Sequence, residues 1–207
     1  LRAINARRTI LDLLLSDHPK DCLICPKNLD CQLQALAQEL GLHHLLYKGE
    51  QSTYNRDLSS KAIARDLDKC IMSRRCEPAC NVIQTVGVLS GVGRGFEAVV
   101  APAGLKPLVE TECVFCGQCV QACPVGALTE MDYKYPVWRM LNDPAKTVVV
   151  QTAPAVRVAI GEEFGMAPGS VSTGKMVAAL RKLGFDKVFD TDFAADLTIM
   201  EETTELI

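Results

Sequence analysis

The chain has 207 residues, with 25 acidic and 22 basic side chains and a net charge of −3 at pH 7. This mildly acidic balance, without a run rich in lysine or arginine, argues against nucleic-acid binding. No apolar run is long enough for a signal peptide or a membrane span, which predicts a cytoplasmic protein. All ten cysteines lie at or before Cys123, and such clustering favours metal ligation over disulfides.

The first predicted element is an amphipathic helix over residues 6–16, which leads into a set of possible metal ligands. His18 stands four residues before Cys22, which opens a C-x-x-C pair with Cys25, and Cys31 follows. These four residues suit one metal site, and zinc bound by three cysteines and a histidine is the chemical competitor. A second helix is predicted over residues 32–40, ending at Gly41.

The letters HPKDCLIC at residues 18–25, followed by CQLQ at 31–34, resemble a known iron–sulfur segment. It is the histidine-ligated [4Fe–4S] segment shared by complex I-type large subunits and complex [FeFe]-hydrogenases. The resemblance implies one cluster held by His18, Cys22, Cys25 and Cys31. His43 and His44 have no other potential ligand beside them in the sequence, and we predict that they are surface residues.

Two cysteine-rich runs follow a polar linker: CIMSRRCEPAC at residues 70–80 and CVFCGQCVQACP at 113–124. The second has the spacing of bacterial ferredoxins, in which closely spaced thiolates converge on a cubane iron–sulfur cluster. The repeat resembles a two-cluster ferredoxin, where the last cysteine of each run ligates the other cluster. That resemblance implies two sites, one with Cys113, Cys116, Cys119 and Cys80, and one with Cys70, Ser73, Cys76 and Cys123.

Ser73 is the position where the first run departs from this pattern, since serine stands where the second run has Cys116. A serine oxygen is a harder and more basic ligand than a thiolate, so its bond to iron is less favourable. Two outcomes stay open. Either Ser73 ligates iron as an alkoxide, or this iron is lost and the site holds a [3Fe–4S] cluster.

Residues 82–89 and 96–100, between the two runs, are rich in β-forming residues and predict a β-hairpin. After Cys123 a linking helix is predicted over residues 133–142, and an α/β domain begins near residue 146. The elements predicted there are a strand over 147–150 buried on both faces, helices over 155–164 and 173–183, a strand over 187–190, and a last helix capped by Asp192.

This last part resembles the start of the catalytic domain of [FeFe]-hydrogenases. The motifs that carry the resemblance are QTAPAVR at 151–157, GEEFG at 161–165, TGKM at 173–176, LGFDKVFD at 183–190 and DFAADLTIMEE at 192–202. In that family a [4Fe–4S] cube joined to a two-iron subsite forms the catalytic H-cluster, whose cysteine ligands lie in later motifs. The resemblance implies that Ala153, Pro154 and Ala155 line the two-iron subsite. It also implies an H-cluster and an N-terminal [2Fe–2S] domain in a longer parent protein, of which the chain is expected to be an internal fragment.

The predicted fold class is α+β, in three parts. These are a His/Cys3 [4Fe–4S] segment over residues 1–56, a two-cluster ferredoxin-like domain over 57–131, and a linker with the start of an α/β catalytic domain over 132–207. The implied function is electron relay, in anaerobic hydrogen metabolism, between the H-cluster and a ferredoxin or an NAD(P)-linked diaphorase subunit of a hetero-oligomer. Two alternatives stay open: a complex I-type or formate dehydrogenase-associated iron–sulfur subunit, and a hydrogenase-like sensor without turnover.

Overall fold

A computed structural model describes all residues, 1–207, and the chain divides into two compact units. Unit 1 spans Leu1–Met131 and unit 2 spans Asp132–Ile207. The predicted parts 1–56 and 57–131 both lie within unit 1. Helices and strands occur in both units, and none of the helices combines the length and apolar character that crossing a membrane requires.

Two helices begin unit 1: α1 (Arg2–Asp17) and α2 (Gln32–Glu39). The two predicted helices are confirmed, and Leu11 on α1 and Leu33 on α2 are buried, whereas Ile10 on the predicted apolar side of α1 is 59% exposed. The buried carboxylate of Asp12 accepts the Leu46 N–H at 3.1 and 3.2 Å. This bond holds the loop after α2 against α1.

Two small antiparallel sheets and two short helices form the rest of unit 1. The elements in chain order are β1 (Ile63–Arg65), α3 (Cys76–Pro78), β2 (Ser90–Val92), β3 (Val99–Ala101), α4 (Gln118–Ala122) and β4 (Leu128–Glu130). β1 pairs with β4 and β2 pairs with β3. The most buried large side chains include Ile63, Leu108 and Val125, so the core lies beside the cysteine-bearing helices α3 and α4.

The strand predicted over residues 82–89 is wrong. The helical turn of α3 continues as a π-helical turn, Ala79–Ile83, and Thr85 has a positive φ of 56°. The Asn81 side chain donates to the Leu89 carbonyl at 2.8 Å, and the Val86 N–H donates to the Cys80 carbonyl at 3.0 Å. These bonds curl the segment around Cys80, and the predicted hairpin forms further along, between β2 and β3.

Unit 2 contains one parallel strand pair with helices around it. Its elements are α5 (Lys134–Leu141), β5 (Val149–Thr152), α6 (Val156–Ala159), α7 (Thr173–Leu183), β6 (Lys187–Asp190) and α8 (Thr191–Leu206). β5 and β6 pair from Val149↔Lys187 to Thr152↔Asp190. Gly184 ends α7 with a φ of 107°, a conformation that favours glycine, which confirms the predicted stop.

The predictions for β5 and for residues 155–164 are wrong in part. β5 has β6 as its single hydrogen-bonded neighbour and Val149 is 51% exposed, so the strand is not buried on both faces. The predicted helix is broken after Ala159, and a separate 3₁₀ turn covers Glu162–Phe164. The Met166 N–H donates to the Gly161 carbonyl at 3.0 Å, so the chain folds back at this glycine instead of continuing the helix.

The cap of α8 also differs from the prediction. Asp190 has an extended backbone and its carboxylate accepts the Phe193 N–H at 2.9 Å, so Asp190 caps the helix. Asp192 lies inside the first turn and pairs with Arg157 at 3.3 Å.

Candidate iron–sulfur sites

The first ligand group lines one open cavity of about 860 Å³ and consists of His18, Cys22, Cys25 and Cys31. His18 follows the last residue of α1, Cys22 begins a short 3₁₀ turn, and Cys31 directly precedes α2. The Cys25 N–H donates to the Cys22 carbonyl at 3.2 Å, which closes that turn. The end of one helix and the start of the next therefore bring all four side chains to one cavity.

Two observations concern the histidines of this cavity. Burial lowers the pKa of His18 and the Lys69 ammonium lowers it further, against the opposing charges of Asp21 and Asp17. A lower pKa favours neutral imidazole, which is the form that binds a metal. His43 and His44 also line the cavity, although both are exposed. Their place was missed because the chain turns back at the end of α2, where Gly41 has a φ of 65°.

The second ligand group consists of Cys70, Cys76 and Cys123. The pKa of Cys76 is raised to about 12, first by burial and then by the charges of Cys123, Cys70 and Cys119. Burial also raises the pKa of Cys123, whereas hydrogen bonding to the backbone of Val125, Leu128 and Ala127 lowers it. Nearby thiolate charges thus add to burial in raising the pKa values of Cys76 and Cys123.

The third ligand group lines a separate cavity beneath Ile63 and Leu108 and consists of Cys80, Cys113, Cys116 and Cys119. The pKa of Cys119 is raised to about 11, first by burial and then by Cys113, Cys116 and Cys80. Cys80 comes from the first run and the other three from the second. Each run thus contributes one cysteine to a group whose other cysteines belong to the other run.

The two runs have the same loop conformation. Met72 and Arg74 have positive φ angles of 51° and 57°, and Phe115 and Gly117 have 53° and 77° at the corresponding positions. Ser73 and Cys116 lie between these pairs, and both are exposed. The Arg74 side chain donates two hydrogen bonds, of 2.6 and 2.8 Å, to the Glu77 carboxylate.

The first group lines a cavity of about 860 Å³ and the third a cavity of about 20 Å³. No three histidine, cysteine, aspartate or glutamate side chains lie close enough together to hold one metal ion. Tetrahedral zinc needs its ligands at about 2.0–2.3 Å from one centre. A cubane cluster takes its ligands on different iron atoms, and the separate ligand side chains around the first cavity fit that geometry.

A small cavity in unit 2, of about 100 Å³, lies at the carboxyl ends of β5 and β6. Thr152, Ala153, Pro154 and Arg157 line it together with residues of α7 and β6, whereas Ala155 does not. Ligands of open parallel sheets bind at such strand ends.

Three families match parts of the chain. The "4Fe-4S binding domain" family matches residues 107–129, and the "NADH-ubiquinone oxidoreductase-G iron-sulfur binding region" matches residues 7–45. The "Iron only hydrogenase large subunit, C-terminal domain" family matches residues 146–207. A subunit named NADP-reducing hydrogenase subunit HndD, from Solidesulfovibrio fructosivorans, is 62% identical over 100% of this chain. This chain belongs to the iron-only, or [FeFe], hydrogenase family.

Two further relatives define how much of such proteins the chain covers. Iron hydrogenase 1 of Clostridium pasteurianum is 36% identical over 99% of the chain. The chain spans about a third of the length of these two hydrogenases, 35% of HndD and 36% of iron hydrogenase 1. The crystal structure of an NAD⁺-reducing [NiFe]-hydrogenase matches with a TM-score of 0.57 and 28% identity, covering 61% of this chain and 54% of that chain.

Gly126 lies at the contact between the first ligand group and the second cysteine run. A methyl group at Gly126 would stand 2.6 Å from Cys25 Sγ, closer than real side-chain carbons approach a sulfur. The Gln32 N–H donates to the Pro124 carbonyl at 3.0 Å and fixes this approach. Glycine is thus required here for space and not for its backbone angle.

We predict that Gly126→Ala displaces Cys25 and lowers the iron content by up to about four atoms per chain, the content of one [4Fe–4S] site. Overpacking should also destabilise unit 1 by about 1–3 kcal/mol. Iron analysis and visible absorbance of the anaerobically purified variant measure the first effect. Gly49→Ala is the matched control, because its methyl group meets open space. Full iron content in Gly126→Ala would show that Cys25 does not need this contact.

Proposed function

We propose that this chain is the electron-relay part of an [FeFe]-hydrogenase and holds three [4Fe–4S] clusters. The observation that supports the proposal is that Cys80, from the first run, lines one cavity with Cys113, Cys116 and Cys119, while the charge of Cys123 acts on Cys76. Two separate zinc sites, each held by one run, would not need a cysteine from the other run. The two-cluster ferredoxin arrangement requires it.

The proposed ligands use all ten cysteines of the chain. The first site would be held by His18, Cys22, Cys25 and Cys31, and the third by Cys80, Cys113, Cys116 and Cys119. The second would be held by Cys70, Cys76 and Cys123, with Ser73 facing the remaining iron. The positive φ angles at the corresponding positions on either side of Ser73 and Cys116 support that place for the serine.

When bound, each cluster supplies reversible one-electron transfer at a potential that its surroundings set. The chain's own residues hold the ligands in place, exclude water and offer hydrogen bonds to sulfur. Ile63 and Leu108 cover the third group, and the Phe115 N–H donates to Cys113 Sγ at 3.4 Å. Rigid, partly buried ligands keep the structural change on electron transfer small.

The reaction with hydrogen is proposed for a longer protein and not for these residues. An H-cluster held by further sequence would reduce protons or oxidise hydrogen, and Ala153 and Pro154 would line the space beside its two-iron subsite. A ferredoxin or an NAD(P)-linked diaphorase subunit of a hetero-oligomer would exchange electrons with the relay, as would an N-terminal [2Fe–2S] domain. The name of the relative HndD, an NADP-reducing hydrogenase subunit, supports the diaphorase.

A second candidate function is electron transfer in a complex I-type subunit. The match of residues 7–45 to the NADH-ubiquinone oxidoreductase-G region favours it. The match of residues 146–207 to the hydrogenase family favours the first proposal.

We predict that the 207-residue chain, reconstituted without oxygen, binds about eleven to twelve iron atoms and no stoichiometric zinc, as three clusters require. Since no cysteine is left for a catalytic cluster, it should evolve no hydrogen with a strong one-electron donor. Metal analysis and a hydrogen assay test both statements. Hydrogen evolution by the chain, or zinc in place of iron, would contradict the proposal.

The Ser73 site yields a separate prediction. We propose that its iron is labile, because deprotonating serine is costlier than deprotonating cysteine. Ser73→Cys should then gain up to about one iron per chain and lose a three-iron signal seen by electron paramagnetic resonance after oxidation. Ser59→Cys, at another exposed serine, is the control and should leave iron content and spectra unchanged. Three cubes in the unaltered chain that survive oxidation would show that Ser73 or a substitute holds the iron firmly.

A further inference from the structure

Unit 1 contains a buried lysine that is not among the proposed ligands. Lys69 is 4% exposed, and its Nζ atom lies 2.9 Å from Asp21 Oδ2 and 3.5 Å from Asp66 Oδ2. Asp21 directly precedes Cys22, and Lys69 directly precedes Cys70. The ion pair therefore connects the first ligand group to the second.

The alkyl part of Lys69 lies beside the sulfur of Cys25. A Cβ atom added at Gly126 would stand 3.4 Å from Lys69 Cδ and 2.6 Å from Cys25 Sγ. The two atoms are therefore no further apart than the sum of these distances. Protein atoms, and not bulk water, fill the space around this lysine.

Arg65 is equally buried, at 3% side-chain exposure, and pairs with Asp57, whereas three other cations near the ligand groups are more exposed. The side chains of Arg56 and Arg74 are 57% and 58% exposed, and that of Lys27 is 23% exposed, against 5% for Lys69. Water and salt screen exposed charges, whereas a buried charge acts at higher strength on its surroundings. Burying an ion pair is costly and seldom the most stable choice for a core, so stability alone does not account for Lys69.

We propose that Lys69 sets the reduction potentials of the first and second sites, and that its ammonium charge makes both easier to reduce. This inference rests on the proposed function. One electron from the redox partner adds one negative charge to a site and oxidises the partner by one electron, while Lys69 keeps its protons. A positive charge nearby stabilises the reduced form, and the effect is largest at the first site, where Cys25 adjoins the lysine.

Redox titrations of the iron-loaded chain, followed by electron paramagnetic resonance, test this role. Lys69→Met should lower the midpoint potential of the first site most, that of the second site less, and that of the third site not at all. Asp21→Asn should raise the potential of the first site, because it removes a negative charge beside Cys22. Lys69→Arg should keep the original potentials, and Lys134→Met, at a lysine 83% exposed, is the control without effect.

The opposite signs separate an electrostatic role from a merely structural one. Lys69→Met and Asp21→Asn break the same ion pair, so loosened packing would shift both potentials in one direction, and that result would overturn the proposal. Unchanged potentials in both variants would overturn it as well. If Lys69→Met loses iron, Asp21→Asn decides alone: a raised potential supports the proposal and an unchanged or lowered one overturns it. Failure of the proposed function is distinct, since the unaltered chain would then lack three iron–sulfur clusters.

Discussion

The burial of thiol groups in a small core is the constraint on which unit 1 depends. Cys76 and Cys123 are part of the same buried cluster as Leu11, Ile63 and Leu128, and five further cysteines pack against it. Buried thiols with pKa values near 11 and 12 stay protonated unless a cation replaces the proton. Iron binding at these sites would release those protons and join helices that share few large apolar side chains. In this unit, the ionisation of the cysteine thiols and the packing of the core therefore depend on each other.

That constraint accounts for the local conformations. Residues such as Met72 and Phe115 adopt positive φ angles that cost free energy for side chains with a Cβ atom. The helical turns that carry Cys76 and Cys119 begin soon after these loops and run side by side. The central residue of each loop, Ser73 or Cys116, is exposed, whereas the flanking cysteines are partly or fully buried.

Sequence patterns predicted the elements whose signals are local. The helices α1, α2 and α7 and the stop at Gly184 are confirmed by the structure. The predicted inward face of α7 is wrong in part, since Met176 is buried but Leu183 is 47% exposed. Residues 82–89 were wrongly predicted, because β-forming composition does not reveal that Asn81 binds the Leu89 carbonyl. The cap of α8 was assigned two residues too late, because two aspartates stand close together and only the backbone conformation at Asp190 distinguishes them. The helix over 155–164 was predicted whole, since the contact of Gly161 with Met166 is visible only after folding.

In the candidate sites, too, local signals could be predicted from the sequence and long-range contacts could not. Cysteine spacing is a local signal, and it picked out the cysteines that line the cavities of the first and third groups. Gly126 and Lys69 could not be predicted, because their roles come from segments distant in sequence that meet at Cys25 and Asp21. His43 and His44 are exposed, as predicted, but the sequence did not reveal that they also line the first cavity after the turn at Gly41. Family resemblance supplied the overall assignment that these contacts alone do not give.

The central claim is that the two cysteine runs exchange ligands between two clusters. Anomalous scattering at the iron absorption edge, from crystals of the anaerobically purified protein, tests it most directly. We expect three separate groups of iron atoms in unit 1, with Cys80 bound to the group held by Cys113, Cys116 and Cys119, and Cys123 bound to the group held by Cys70 and Cys76. A map in which Cys80 shares its iron with Cys70 and Cys76, or in which either run binds a single metal ion, would contradict the account.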